Sequence, residues 1–262
     1  MEDKSSEGSR SPLKDKPLRN PGQSTEEARR KLIEDKFEEP GLMAAFLIAL
    51  AALEWARYAM NLPPKPWIFT VVAFAGIAYA SWRLWRVRPR LRALRQAIDG
   101  EKAVGQFLER LRENGYKVFH DIVGENFNLD HVIIGPAGVM TIETKTWTKP
   151  TPNAQVEFDG EELTVGSLQP DRNPVIQAKA QASWLRRVLE ESTGRKFDVR
   201  PVIVFPGWFV QQSGERPRNL WVLEPKALPG FLAHEPRALA DEDINLASFH
   251  LSRFIRSQER RS

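Results

Sequence analysis

Residues 129–147 read LDHVIIGPAGVMTIETKTW, and how this stretch folds back on itself decides the fold. The apolar run Val132-Ile133-Ile134 meets Gly135-Pro136-Ala137-Gly138, a turn signal, and an extended pattern resumes at Val139. If Ile134 faces Val139 across the turn, counting back along both strands sets Asp130 directly opposite Glu143. Shrinking the loop to Pro136-Ala137 leaves that pairing unchanged. Strand side chains alternate faces, so Lys145 lies on the side of Glu143, roughly 7 Å further on. Two carboxylates placed in this way have Cβ atoms about 5 Å apart and repel each other. A fold keeps such a pair when a cation sits between them. The register therefore predicts a metal site at Asp130 and Glu143.

Outward from this hairpin the composition is that of an α/β domain. Asp99-Gly100 precedes a helical pattern with Val104, Phe107, Leu108 and Leu111 on one stripe, ending at Asn114-Gly115. Tyr116 to Ile122 reads as a strand, and Gln155 to Val165 as a hairpin around Asp159-Gly160. Asn173-Pro174 starts a helix that runs to Gly194, with Pro in its first turn. Val199 to Phe205 and Trp221 to Leu223 read as strands, and Asp241 or Asp243 caps a last helix carrying Phe249, Phe254 and Ile255.

A chain of 262 residues holds one such domain and something more. The formal charge of +4 is local in origin: six of the 38 basic residues lie between Arg83 and Arg95, leaving 32 against 34 acidic residues elsewhere. The bulk of the protein is nearly neutral, so its charge does not by itself indicate nucleic acid. The chain has no cysteine, which excludes disulfides and thiolate metal sites. Its four histidines are scattered and form no zinc-like pair.

The N-terminal third has a different character. Residues 1–39 are polar and charged, a composition that does not offset its ordering entropy, so they read as a disordered tail in which Thr25 to Phe37 can form a transient helix. Residues 40–88 carry two apolar segments. Gly41 to Leu53 extends to Leu62 if Glu54 and Arg57, three apart on a helix, pair with each other. Pro66 to Trp82 is a second uncharged run with Trp67, Trp82 and Trp85 at its edges. Aromatic edges followed by arginines match the belt and charge bias of membrane helices. We read a two-helix transmembrane hairpin, then a basic juxtamembrane linker at 89–98 and the α/β domain at 99–262. This predicts a multi-pass protein of the inner (cytoplasmic) membrane, both termini cytosolic, touching anionic lipid through residues 40–95. A pair of buried or interfacial helices in a soluble domain is the plainer alternative.

Two polar residues in the α/β domain sit where core residues are expected. Glu101 lies on the inward stripe of its helix with Val104 and Leu108, which fits either a site acid or a first-turn acid answering the helix dipole. Gln177 shares a stripe with Gln181, Trp184, Leu185 and Val188. Inward carboxylates and amides are costly unless something satisfies them. His131, as the strand neighbour of Asp130, points to the opposite face and takes a packing or hydrogen-bonding role. Trp147, Trp208 and Trp221 read as packing residues rather than base-stacking ones, and Asp121 and Asp159 as surface or turn acids. Glu-x-Lys alone is weak evidence, since it occurs four times; only Glu143-Thr144-Lys145 lies opposite an aspartate.

Together, Gly100-Glu101 opening a helix, Asp130-His131 before an apolar strand, Gly138-Val139, Ile142-Glu143-Thr144-Lys145, Asn173-Pro174 with Gln177, and Val202 to Pro206 resemble the NERD (nuclease-related) domain over about residues 100 to 208. The resemblance implies a PD-(D/E)xK restriction-endonuclease-like fold, a mixed central sheet flanked by helices. It implies a magnesium-dependent nuclease site, with manganese as substitute, in which Asp130 and Glu143 are metal ligands and Lys145 is the catalytic cation. Glu101 is similar to the first-helix acid of such nucleases and Gln177 to their later helical glutamine. The expected partner is nucleic acid, DNA ahead of RNA. The competing expectation is a binding or signalling module that keeps the nuclease fold with negligible turnover.

Overall fold

Lys117–Val123 (β1), Asn128–Gly135 (β2) and Gly138–Thr144 (β3) form an antiparallel meander in which Ile134 pairs with Val139 and Gly135 with Gly138. That is the register expected from the turn. The computed structural model describes residues 18–61, 63, 66–124, 127–165, 173–213 and 219–259, in two compact units: 22–99, and 100–259 with 18–21. Among these residues the helices are α1 (Gln23–Ala59), α2 (Pro66–Glu109), α3 (Pro174–Thr193), α4 (Leu228–His234) and α5 (Asp241–Glu259).

In the second unit, Val199–Val204 (β6) lies parallel to β3, and Trp221–Leu223 (β8) parallel to β6. The resulting order β1-β2-β3-β6-β8 is a mixed sheet. Val156–Phe158 (β4), Leu163–Val165 (β5) and Val210–Gln212 (β7) make a smaller sheet in the order β5-β4-β7. Strand alternation sends Ile133 and Met140 to one face, against Val104 and Leu108 of α2. It sends Val132, Ile134 and Val139 to the other, against Leu185 and Leu189 of α3 and Leu251 of α5. Helices therefore flank the sheet on both faces, as an α/β chain requires to cover apolar strands.

Local signals explain the element ends. Asn173 caps α3 by accepting the Val175 N–H at 2.9 Å, with Pro174 next in line. Asp159 makes the β4–β5 turn by accepting the N–H groups of Glu161 and Glu162, which also holds its carboxyl below the usual range. Gly115 stops the tight helical turn Arg110–Asn114 at φ +82, a left-handed conformation that suits glycine.

The helix expected to begin at Asp99-Gly100 instead continues α2 without a break, so the segment 89–98 read as a linker is helical and crosses Pro89. Leu91, Ala93, Leu94, Gln96 and Ala97 are good helix formers that outweigh the hydrogen bond lost at the proline. Gly100 serves packing rather than capping: a Cβ there would lie 1.8 Å from Thr146 Cγ2. Gly100→Ala should therefore cost about 1–3 kcal/mol in denaturant unfolding, and adding Thr146→Ser should return part of that loss.

The unit 22–99 contains α1 and the first part of α2. The segment read as a disordered tail is helical from Gln23, stabilised by bonds such as Gln23 to Glu27 at 3.0 Å; residues 1–17 lie outside the described residues. Glu54 and Arg57 pair as expected, at 3.7 Å. Half-buried positions recur at sevenfold spacing, Met43, Leu47, Leu50, Glu54 and Arg57 in α1 and Phe69, Ala73, Gly76, Ala80 and Arg83 in α2. Gly76 comes against Leu47, 3.1 Å from where a Cβ would stand. Phe46, Ile48, Trp55, Phe74 and Ile77 face outward.

Among the described residues, α1 is the helix long and apolar enough to cross a membrane. Pro66 to Trp82 is helical within α2. The expected two-helix transmembrane hairpin, and with it a multi-pass topology, is thus not shown; a single candidate span is.

Candidate active site

The β2–β3 ladder ends at His131 opposite Ile142, and one step further the strands carry Asp130 and Glu143. There the Thr144 N–H donates to Asp130 Oδ2 at 2.7 Å, so a carboxylate takes the place of a main-chain carbonyl. Glu143 is buried, at 4% exposure, and three donors converge on it. Lys145 Nζ reaches Oε1 at 2.7 Å, Gln177 Nε2 reaches the same oxygen at 2.7 Å, and Gln181 Nε2 reaches Oε2 at 2.7 Å. Lys145 Nζ also donates to Gln177 Oε1 at 3.0 Å, closing a triangle of side chains. The Lys145 N–H still donates to the Val204 carbonyl of β6 at 2.9 Å, and its ammonium reaches back to Glu143.

Glu101, buried at 8%, approaches from α2, whose Gly100 sits against Thr146. Its charge is felt at Asp130. Burial first, then repulsion from Glu143 and Glu101, pushes the Asp130 carboxyl well above the usual carboxylate range; the Thr144 N–H and Lys145 oppose this in part. All five residues singled out from the sequence, Asp130, Glu143, Lys145, Glu101 and Gln177, thus belong to one neighbourhood. Gln181 joins them, on the stripe of Gln177 and one turn later. The signal for it was present in that shared stripe, but an amide beside Leu185 also reads as a core residue.

The chemistry of the donors suits a hard cation. A half-buried acid whose proton is held by desolvation and by repulsion from neighbouring acids is what a divalent ion relieves. Among the described residues no group of three or more His, Asp or Glu side chains is arranged to hold a metal by itself. Magnesium does not ask for one: it binds through one or two carboxylates and fills its shell with water and phosphate oxygens. Asp130 and Glu143 fit that pattern.

The opposite face of the sheet carries different groups. His131 is fully buried there, its Nδ1 2.9 Å from His120 Nδ1, and His120 Nε2 lies 2.8 Å from Glu109 Oε1. Burial lowers both imidazole pKa values, opposed at His120 by Glu109, and the pair packs behind the site. Trp208 and Trp221 are buried, and Trp147 is half-buried against Phe205, which makes these residues packing elements. Asp121 lies within strand β1, which corrects its reading as a surface or turn acid. It is 2% exposed, has φ +50, and pairs with Arg19 at 2.6 Å. A partner that distant in the chain leaves no local signal.

Residues 96–206 match the family model of the nuclease-related domain, NERD. The chain carries a nuclease-related domain. No curated protein and no solved structure matches it. The matched span of the nuclease-related domain holds every residue of the cluster, from Glu101 to Gln181, and ends just past β6. The match suggests a nuclease-related function for the domain.

Proposed function

We propose that this chain is a membrane-anchored, metal-dependent nuclease that hydrolyses phosphodiester bonds in nucleic acid, DNA before RNA, on the cytosolic side of the inner membrane. The observation that carries the reading is the convergence of Asp130, Glu143 and Lys145 at the splayed end of β2 and β3, inside a nuclease-related domain. The mixed sheet with helices on both faces supports a restriction-endonuclease-like core. Hydrolysis joins a water oxygen to phosphorus while the ester P–O bond breaks, and the leaving oxygen takes a proton. Asp130 and Glu143 would hold Mg²⁺, or Mn²⁺ in its place, which when bound polarises the phosphate and favours deprotonation of water. Lys145 sets a positive charge beside the phosphate as negative charge builds there. Gln177 orients both Lys145 and Glu143, and Glu101 adds negative charge behind Asp130.

Anchoring rests on α1, with α2 returning beside it as a hairpin with both termini cytosolic. The outward apolar side chains, the sevenfold seam and the exposed arginines from Arg86 to Arg95 support this. Those arginines suit anionic lipid headgroups, each worth about 1 kcal/mol near such a surface.

The full chain in detergent micelles should cut nucleic acid with Mg²⁺ or Mn²⁺ and stop when a chelator is added. Asp130→Ala, Glu143→Ala and Lys145→Ala should each abolish cutting. Three variants that cut as fast as the wild type would sink the proposal. One observation favours the second reading, a binding module of negligible turnover: Lys145 is already engaged by Glu143 and Gln177. That reading predicts salt-dependent retention of nucleic acid with no cleavage over the same time course.

A further inference from the structure

Glu143 presents two oxygens in unequal surroundings. Oε1 accepts from Lys145 and from Gln177, which fills its two lone-pair positions. Oε2 accepts from Gln181 Nε2. The same Gln181 nitrogen donates its other hydrogen to the carbonyl oxygen of Asn128 at 3.0 Å, two residues before Asp130 on β2. A side-chain amide has two N–H hydrogens, and both are spent on strands β2 and β3 at the point where their ladder has ended. Gln181 is itself 3% exposed, among Ala182 and Leu185 of α3, so its placement is fixed by packing.

We infer that Gln181 is a positioning residue of the site: it ties Glu143 Oε2 to β2 and so fixes the Glu143 carboxylate for the cation that it and Asp130 would hold. The inference rests on the metal-dependent reading above and adds a division of labour within α3. Gln177 serves the Lys145 side of Glu143, and Gln181 serves the Asp130 side. Without Gln181, Glu143 keeps its bonds to Lys145 and Gln177 through Oε1 but is free to turn about that anchor. Partners that orient metal ligands in this way are typically worth about 10–100-fold in metal affinity or activity.

The test uses the full chain in detergent micelles and Mg²⁺ titration by calorimetry. Gln181→Leu should weaken Mg²⁺ binding and lower kcat by about tenfold or more, while KM for a DNA oligonucleotide stays close to wild type. A merely structural role would lower the folded fraction and leave the affinity of the folded molecules unchanged. If the leucine variant does not fold, the wild type answers alone: with glutamine side chains labelled by nitrogen-15, the Gln181 amide signal should shift in step with Mg²⁺ binding. Wild-type Mg²⁺ affinity in a folded Gln181→Leu, an amide signal unmoved at saturation, or a wild-type chain that binds no divalent ion each overturns the inference. A wild-type chain that binds Mg²⁺ through Gln181-held Glu143 yet cuts nothing supports the positioning role and removes the nuclease reading instead.

Discussion

Lys145→Met should lower phosphodiester cleavage by about 10²–10³-fold while leaving Mg²⁺ binding intact or tighter. Methionine keeps the length of the side chain and removes its charge. In the structure the ammonium is bound to Glu143 Oε1 and Gln177 Oε1, so it competes with any cation for the same carboxylate. Taking it away frees that carboxylate for the metal but deprives the reacting phosphate of a neighbouring charge. The two effects have opposite signs, and that opposition is the diagnostic. Without metal the variant should also be less stable, because buried Glu143 then relies on two amides alone; saturating Mg²⁺ should restore the difference. Lys145→Arg is not a rescue, since the planar fork places its charge differently from a point ammonium. Single-turnover cleavage and calorimetry on one preparation read both quantities. Equal loss of metal binding and cleavage would assign Lys145 to holding the site together rather than to the reaction.

How far the sequence could be read depended on whether the partners were local. The β2–β3 register was legible because a turn of two central residues joins strands whose faces alternate, and one residue of slip would have turned every apolar side chain outward. From that register Asp130 and Glu143 followed. Glu101 was legible as a polar residue on an inward stripe. Arg19 and Asp121 were not, because the bond joins residues 102 positions apart and Asp121 takes a left-handed φ inside β1. Gly100 misled for a related reason. A glycine after aspartate reads as a helix boundary, and only the approach of Thr146 shows that the missing Cβ is needed for space. The short elements β7 and α4 carry too few residues for either periodicity to declare itself. In the N-terminal unit, composition indicated apolar helices but not their extent, since charged helix formers before residue 40 continue α1 rather than precede it.

Asp130→Asn should abolish cleavage and Mg²⁺ binding yet raise the melting temperature of the metal-free protein at neutral pH. The asparagine amide keeps an oxygen for the Thr144 N–H and turns a donor, rather than a second negative charge, towards its acidic neighbours. The sign follows from the direction of the shift. Burial and repulsion from Glu143 and Glu101 raise the folded-state pKa of Asp130 above its unfolded value. The folded protein therefore binds this proton more tightly than the unfolded chain does. Stability from this group is greatest below the ordinary carboxylate pKa and falls as pH rises from there through the raised folded value. Above that value the full cost of a desolvated, repelled charge is present. The substitution removes the cost, and each kcal/mol gained would appear as roughly 2–4 °C in Tm for a domain of this size. Mg²⁺ should do for the wild type what the amide does for the variant, by supplying a positive charge where the proton was. Melting curves across acid to mildly alkaline pH, with chelator and with Mg²⁺, separate these effects. The wild type should lose stability with pH in chelator and regain it with Mg²⁺, by more at higher pH, whereas the variant should show neither response. A variant that melts below the wild type in chelator at alkaline pH, and still gains from Mg²⁺, would mean that Asp130 is a structural acid and that the cation rests elsewhere.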